Sequence, residues 1–156
     1  MAEISLTEVE PRPTAVVREV VAVSDLPGFF HRAFSAVAIA VQGQNVSVAG
    51  VPFGLFHGVP TDRVDVEAGF PLSRPIEASG PVTPSSLPGG RVVTALHVGP
   101  YDTLDQTYAE LTAWMSEQSL TPGEDMWEEY LSDPEEEPDP ATWRTRISCP
   151  VASTSA

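Results

Sequence analysis

Met126-Trp127-Glu128-Glu129-Tyr130-Leu131-Ser132-Asp133-Pro134 is a short apolar and aromatic run that carries two adjacent carboxylates and closes on Asp-Pro. Its aromatic residues, and the lack of Gly or Pro inside it, read as a strand. Successive side chains of a strand point to opposite faces. Glu128 therefore shares a face with Met126 and Tyr130, and Glu129 shares the other with Trp127 and Leu131. Where both faces of the sheet are covered, at least one carboxylate meets apolar, aromatic surface. An unpaired carboxylate there is costly, which calls for a cation held against rings or for a carboxyl with a raised pKa. A solvated edge strand with two surface acids satisfies the same residues.

Working outward, the segments around this strand repeat an earlier pattern. A shift of 74 residues takes Phe30 to Leu104, Phe34 to Tyr108, Val37 to Leu111 and Val41 to Met115. The same shift takes Phe53 to Trp127, Phe56 to Tyr130 and Pro60 to Pro134. Matches at one offset argue for an internal duplication. In the first copy, residues 15–23 form a β-branched strand, and Ser24 and Asp25 offer capping oxygens to a helix with Pro27 in its first turn. Phe30, Phe34, Val37 and Val41 give that helix one apolar face. Residues 51–57 are a strand weakened by Pro52 and Gly54. Residues 64–70 alternate, with Val64, Val66, Ala68 and Phe70 on one face and Asp65 and Glu67 on the other. The second copy reads the same way: a strand at 91–98, a helix with Asp102 as cap candidate, and strands at 127–131 and 143–149.

Each copy is thus strand, helix, strand, strand. The first spans about 15–71 and the second about 91–151, with a Pro, Ser and Gly-rich connector at 72–90 that has room for a short extended piece. Residues 1–13 read as a polar lead-in. Neither copy of about seventy residues buries enough surface alone. The expectation is one α+β domain over 1–156, its copies packed across a pseudo-twofold axis. An antiparallel sheet would carry helices on one side and a central ligand groove on the other. Gly54 stands where Glu128 stands in the second copy, so the groove takes its carboxylate from one copy only.

Acids outnumber bases 22 to 8, the net charge is -14, and every base is Arg. That balance opposes nucleic-acid backbones and anionic membranes and suits a cationic ligand or a basic protein partner. A single cysteine, Cys149, excludes an internal disulfide framework. It reads as a small buried residue rather than a nucleophile. No apolar run is long enough to span a membrane, and no signal peptide is visible, so a cytoplasmic setting is expected. His31, His57 and His97 lack metal-ligand spacing, and no metal or cofactor is expected. The acidic run from Asp133 to Pro140, broken by prolines, reads as a solvated loop. Phe30, Phe34 and Tyr108 read as core, while for Tyr101, Phe56, Trp127, Tyr130 and Trp143 groove lining competes evenly with packing. His97, beside the Gly99-Pro100 turn, either lines the groove or ends its strand at the surface.

Several segments also resemble a known family. They are Val64-Asp65-Val66-Glu67-Ala68-Gly69-Phe70-Pro71, His97-Val98-Gly99-Pro100-Tyr101, the stretch from Trp127 to Pro134, and the ending from Trp143 to Val151. Together, in this order and over nearly the whole chain, they resemble the GyrI-like small-molecule-binding domain. That domain is also the effector-binding domain of MerR- and AraC-type multidrug regulators. The resemblance implies a duplicated strand-helix-strand-strand fold and a pocket glutamate in a Glu-x-Tyr pattern, which falls on Glu128 and Tyr130. It implies stand-alone binding of lipophilic, cationic small molecules, with the carboxylate meeting the charge and aromatic walls meeting the rings. The ligand-binding candidates are Glu128, Tyr130, Tyr101, Phe56, His97 and Trp143. Some relatives are described as hydrolases of cyclopropane-bearing electrophiles; there Glu128 would be the catalytic residue that activates water. A gyrase-inhibiting, protein-interaction role is a third reading. Two positions depart from the family pattern: the middle of Glu-x-Tyr is Glu129, and Phe56-His57 stands where many relatives have tyrosine.

Overall fold

A computed structural model describes residues 3–57, 62–87, 89–100, 103–123, 125–131 and 138–151. The chain divides into two compact units, one of Glu10–Gly89 and one that joins Met1–Val9 to Gly90–Ala156. The fold is α+β, and both units have the topology expected from the repeat.

In the Glu10–Gly89 unit, β2 (Arg12–Ala22) leads through a 3-10 turn (Val23–Asp25) into α1 (Leu26–Gly43), followed by β3 (Phe53–His57), β4 (Arg63–Pro71) and β5 (Thr83–Leu87). The antiparallel order is β3-β4-β2-β5. In the other unit, β6 (Gly90–Val98), α2 (Leu104–Glu117), β7 (Asp125–Tyr130) and β8 (Arg144–Pro150) repeat that path, and β1 (Glu3–Val9) adds the outer strand, giving β7-β8-β6-β1. The connector and the lead-in therefore do the same job. Each supplies the outermost strand of one unit, a role that their polar, proline-bearing sequences conceal because an outer strand needs little apolar patterning.

The strand registers of the two units agree pair by pair. Gly54 opposes Ala68 and Phe56 opposes Val66 in one; Glu128 opposes Ile147 and Tyr130 opposes Thr145 in the other. Ala68 in turn opposes Val17, and Ile147 opposes Ala95. The duplication read from the sequence is thus a duplication of register as well.

Helix periodicity and strand alternation build each core. Phe29, Ala33, Val37, Ala40 and Val41 of α1 pack on Ala15, Val17, Val21, Val64, Val66 and Ala68, with Phe30, Phe34, Phe56 and Phe70 at the margin. Leu111 and Met115 of α2 pack on Val93, Ala95, Ile147 and Cys149, with Leu104, Tyr108 and Trp114 beside them. Burying each Val, Leu, Ile, Phe or Met among them stabilises the fold by about 1.5–3 kcal/mol, and each alanine by less. The helix-free faces are buried too: Val16, Phe53 and Leu55 in one unit, Val92 and Trp127 in the other.

One expected cap is not made. Asp25 precedes α1 with φ -94 and ψ -2 and gives no side-chain cap bond. A capping side chain needs an extended backbone at that position. Here the 3-10 turn already holds it in the helical region, so the chain winds into α1. Pro27 does occupy the first turn, as expected. Asp102 lies outside the described residues. No helix among the described residues is long and apolar enough to cross a membrane.

Candidate functional site

The site is built on the middle of β7. Alternation sends Glu128 and Tyr130 to one face and Trp127 and Glu129 to the other, and the structure fixes which face is which. Glu128 opposes Ile147, a core residue beneath α2, so it lies on the helix side of the sheet. Sequence alone had placed the groove on the helix-free side; the carboxylate instead faces the seam between α2 and the sheet. Glu129 faces the other way, where Arg146 Nη1 stands 3.7 Å from its Oε2.

Glu128 is only 8% exposed. Its two carboxylate oxygens are each held by a phenol: Tyr108, from α2, donates to Oε2, and Tyr130 donates to Oε1 at 3.1 Å. Burial is the largest influence on this carboxyl and raises its pKa above the usual glutamate range, against the two phenolic hydrogen bonds and the nearby His97, which pull it down. Tyr108 is raised as well, by its own burial first and then by the adjacent carboxylate. Its proton stays on the phenol, so Tyr108 acts toward Glu128 as a neutral donor.

Across β8 from Tyr130 stands Thr145, and across β6 from Thr145 stands His97, which makes one row on the helix face. His97 is buried and fully engaged: Nδ1 lies 2.6 Å from Thr107 Oγ1 on α2, and Nε2 lies 3.0 Å from the Pro100 carbonyl and 3.1 Å from Thr103 Oγ1. The Nε2–H thus donates to the carbonyl, and Nδ1 shares a hydrogen bond with the Thr107 hydroxyl. His97 fastens the first turn of α2, and with it Tyr108, to the sheet; it is buried rather than at the surface. Among the described residues no group of three or more His, Cys, Asp or Glu could hold a metal ion. Cys149 is buried, and burial pushes its thiol pKa up.

The other predicted residues fall elsewhere. Phe56 belongs to the Glu10–Gly89 unit and meets Phe30 edge-on, with centroids 6.4 Å apart. Trp143 sits one residue before β8, half-buried, its carbonyl accepting from Gly99 N–H. Tyr101 lies outside the described residues. One participant was missed, and one buried acid of the other unit. Tyr108 looked like core because its helical spacing is apolar, and only its hydroxyl distinguishes it from its counterpart Phe34. Glu67, placed by alternation on the face opposite Val64 and Val66, is buried, paired with His57 and bonded by Ser85 Oγ at 2.7 Å; strand alternation cannot reveal that its face is covered. An open depression of about 380 Å³ between Glu19, Asp25, Arg32 and Arg63 lies in that same unit and contains no buried carboxylate.

At the position of this nest the Glu10–Gly89 unit is apolar. Gly54, Phe34, Phe56 and Val66 stand where Glu128, Tyr108, Tyr130 and Thr145 stand, and Phe34 stacks on Phe30 at 5.6 Å and meets Phe70 at 5.6 Å. One unit fills the place with rings; the other fills it with a carboxylate and its donors.

The sequence profile of the GyrI-like small molecule binding domain matches residues 2–152. No curated protein matches the chain. Among solved structures, the EcmrR C-terminal domain is similar with a TM-score of 0.86 at 21% identity, covering 99% of each chain. EcmrR in its complex with DNA gives 0.84 at 21%, covering 98% of this chain and 58% of that one. A hydrolase from Listeria innocua gives 0.68 at 17%, covering 96% and 92%. SAV2435 bound to tetraphenylphosphonium gives 0.68 at 14%, covering 97% and 94%. At these identities the structural likenesses speak for the fold.

Proposed function

This chain belongs to the GyrI-like small molecule binding domain family, and from that premise we propose that it binds lipophilic, cationic small molecules through Glu128. The observation that carries the reading is a buried carboxylate held by hydrogen bonds from two neutral phenols. Burial without a cationic partner is costly for the charged form. A cation arriving at Glu128 supplies the missing countercharge in a medium where the attraction is strong. Its apolar body is met by Tyr108 and Tyr130, whose ring faces attract positive charge. That SAV2435 has been solved with tetraphenylphosphonium supports the choice of ligand class. A cytoplasmic setting, fitting the free Cys149, is part of the same proposal.

Titration with tetraphenylphosphonium, followed by tryptophan fluorescence and calorimetry, tests it. Saturable binding that weakens in Glu128→Gln is expected; equal binding by both proteins overturns it. Hydrolysis is the second reading, favoured by the raised pKa of Glu128. In it the carboxylate takes a proton from water, the hydroxide attacks a strained electrophilic carbon, and the broken ring bond leaves its electron pair to be protonated. Product formation that vanishes in Glu128→Gln would establish it, whereas a pure binder returns its ligand unchanged.

A further inference from the structure

Thr145 is 0% exposed, and its hydroxyl has no hydrogen-bond partner. It lies on the helix face between Tyr130 and His97, diagonal to Glu128 across the β7–β8 pair. At that diagonal the Cβ atoms are about 7 Å apart. The repeat supplies a control within the molecule. The equivalent residue of the other unit is Val66, also 0% exposed, opposite Phe56 as Thr145 is opposite Tyr130. Valine therefore fits this place in the fold, has the shape of threonine, and leaves no polar atom unsatisfied. Leaving a buried hydroxyl without a partner is destabilising. The hydroxyl occurs in the unit that has the carboxylate and is replaced by a methyl group in the unit that has Gly54. Packing does not require it.

We propose that Thr145 is a specificity-determining residue of the Glu128 site, and that the preferred ligand is a cation bearing N–H groups, such as a primary ammonium or an amidinium on an aromatic body. The inference rests on the binding reading above and narrows it. One N–H meets the Glu128 carboxylate and a second meets Thr145 Oγ1, so both hydrogen-bonding groups are satisfied at once. A quaternary cation satisfies the charge alone and leaves the threonine hydroxyl as it is. Glu128 and Thr145 are both closed off without ligand, so the displacement that admits a cation to the first also uncovers the second.

The test compares 4-phenylbenzylammonium with its N,N,N-trimethyl counterpart, which keeps charge and aromatic body and removes the N–H groups. The protein should bind the ammonium at least tenfold more tightly, with about a factor of ten from the hydrogen bond to Thr145. Thr145→Val should cut the preference by that factor by weakening the ammonium alone, leaving the part due to its N–H bond to Glu128, and Thr145→Ser should keep the parent's preference. Thr145→Val should also fold at least as stably as the parent, which separates loss of a contact from loss of structure. A preference unchanged in Thr145→Val, or one for the trimethyl compound, overturns the assignment. If both compounds bind equally and both weaken in Glu128→Gln, the narrower inference falls and the binding reading stands. If neither binds, both fall.

Discussion

Tyr108 on α2 donates its hydroxyl hydrogen to Glu128 on β7, twenty residues further along the chain, and so closes the seam between helix and sheet over a buried carboxylate. The contact ties the position of the helix to the charge state of the strand, and several outcomes follow from it.

Glu128→Gln should weaken binding of a lipophilic cation by about 1–3 kcal/mol, the range for losing a charged hydrogen-bonding partner. A neutral compound of the same shape should bind almost unchanged. Glu129→Gln should alter neither, because Glu129 lies on the opposite face beside Arg146. Calorimetric titration of the three proteins with the two ligands checks this; equal effects of the two substitutions contradict the site.

Tyr108→Phe removes one of the two hydrogen bonds that favour the ionised form of Glu128. The carboxyl pKa should move further up, and the pH above which the cation binds well should rise with it. Isothermal titration across pH reads the shift directly. An unchanged profile would mean that Tyr108 does not govern the carboxylate.

The ligand-free protein should show a matching stability trend. Because the folded pKa of Glu128 is raised above the ordinary value of 4.5, the folded state keeps its proton to higher pH than the unfolded chain. The resulting stabilisation is complete below the ordinary value and is lost as pH rises through the raised one. Asp65 has the opposite sign, since Arg18 lowers its pKa, and its contribution disappears as pH falls through that lowered value. Subtracting the melting temperatures of Glu128→Gln from those of the parent, pH by pH, cancels Asp65. The difference should decline from acid to neutral pH.

Gly69→Ala should destabilise the fold by about 1–3 kcal/mol, the usual cost of overpacking. A Cβ at Gly69 would stand 1.8 Å from the Ala15 carbonyl oxygen, so backbone rather than a pliant side chain would have to shift. Urea denaturation measures it, and a neutral result would show that β2 and β4 can part at that point.

Duplex DNA should not bind at physiological salt. Net charge is -14, with 22 acids against 8 arginines, so a phosphate backbone meets net repulsion that counterion release has to overcome. A fluorescence-anisotropy titration that saturates in the micromolar range, and loosens with salt, would contradict this.

The residues by themselves determined the strand-helix-strand-strand unit, its repetition and the opposite facing of Glu128 and Glu129. Those are local matters: alternation of period two along a strand, an apolar stripe along a helix, and equal spacing in two copies. Sequence also singled out Glu128 against Gly54, since one offset aligns the copies. It did not determine which face of β7 the helix covers, because alternation is indifferent to the side on which α2 packs. Nor did it reveal the hydroxyl of Tyr108 as the partner of Glu128, the orphaned hydroxyl of Thr145, or the pairing of residues 3–9 and 83–87 as outer strands. Each of these depends on groups brought together from distant parts of the chain. Hydrogen-bond satisfaction and burial belong to the packed neighbours of a side chain, and only the tertiary structure supplies those neighbours.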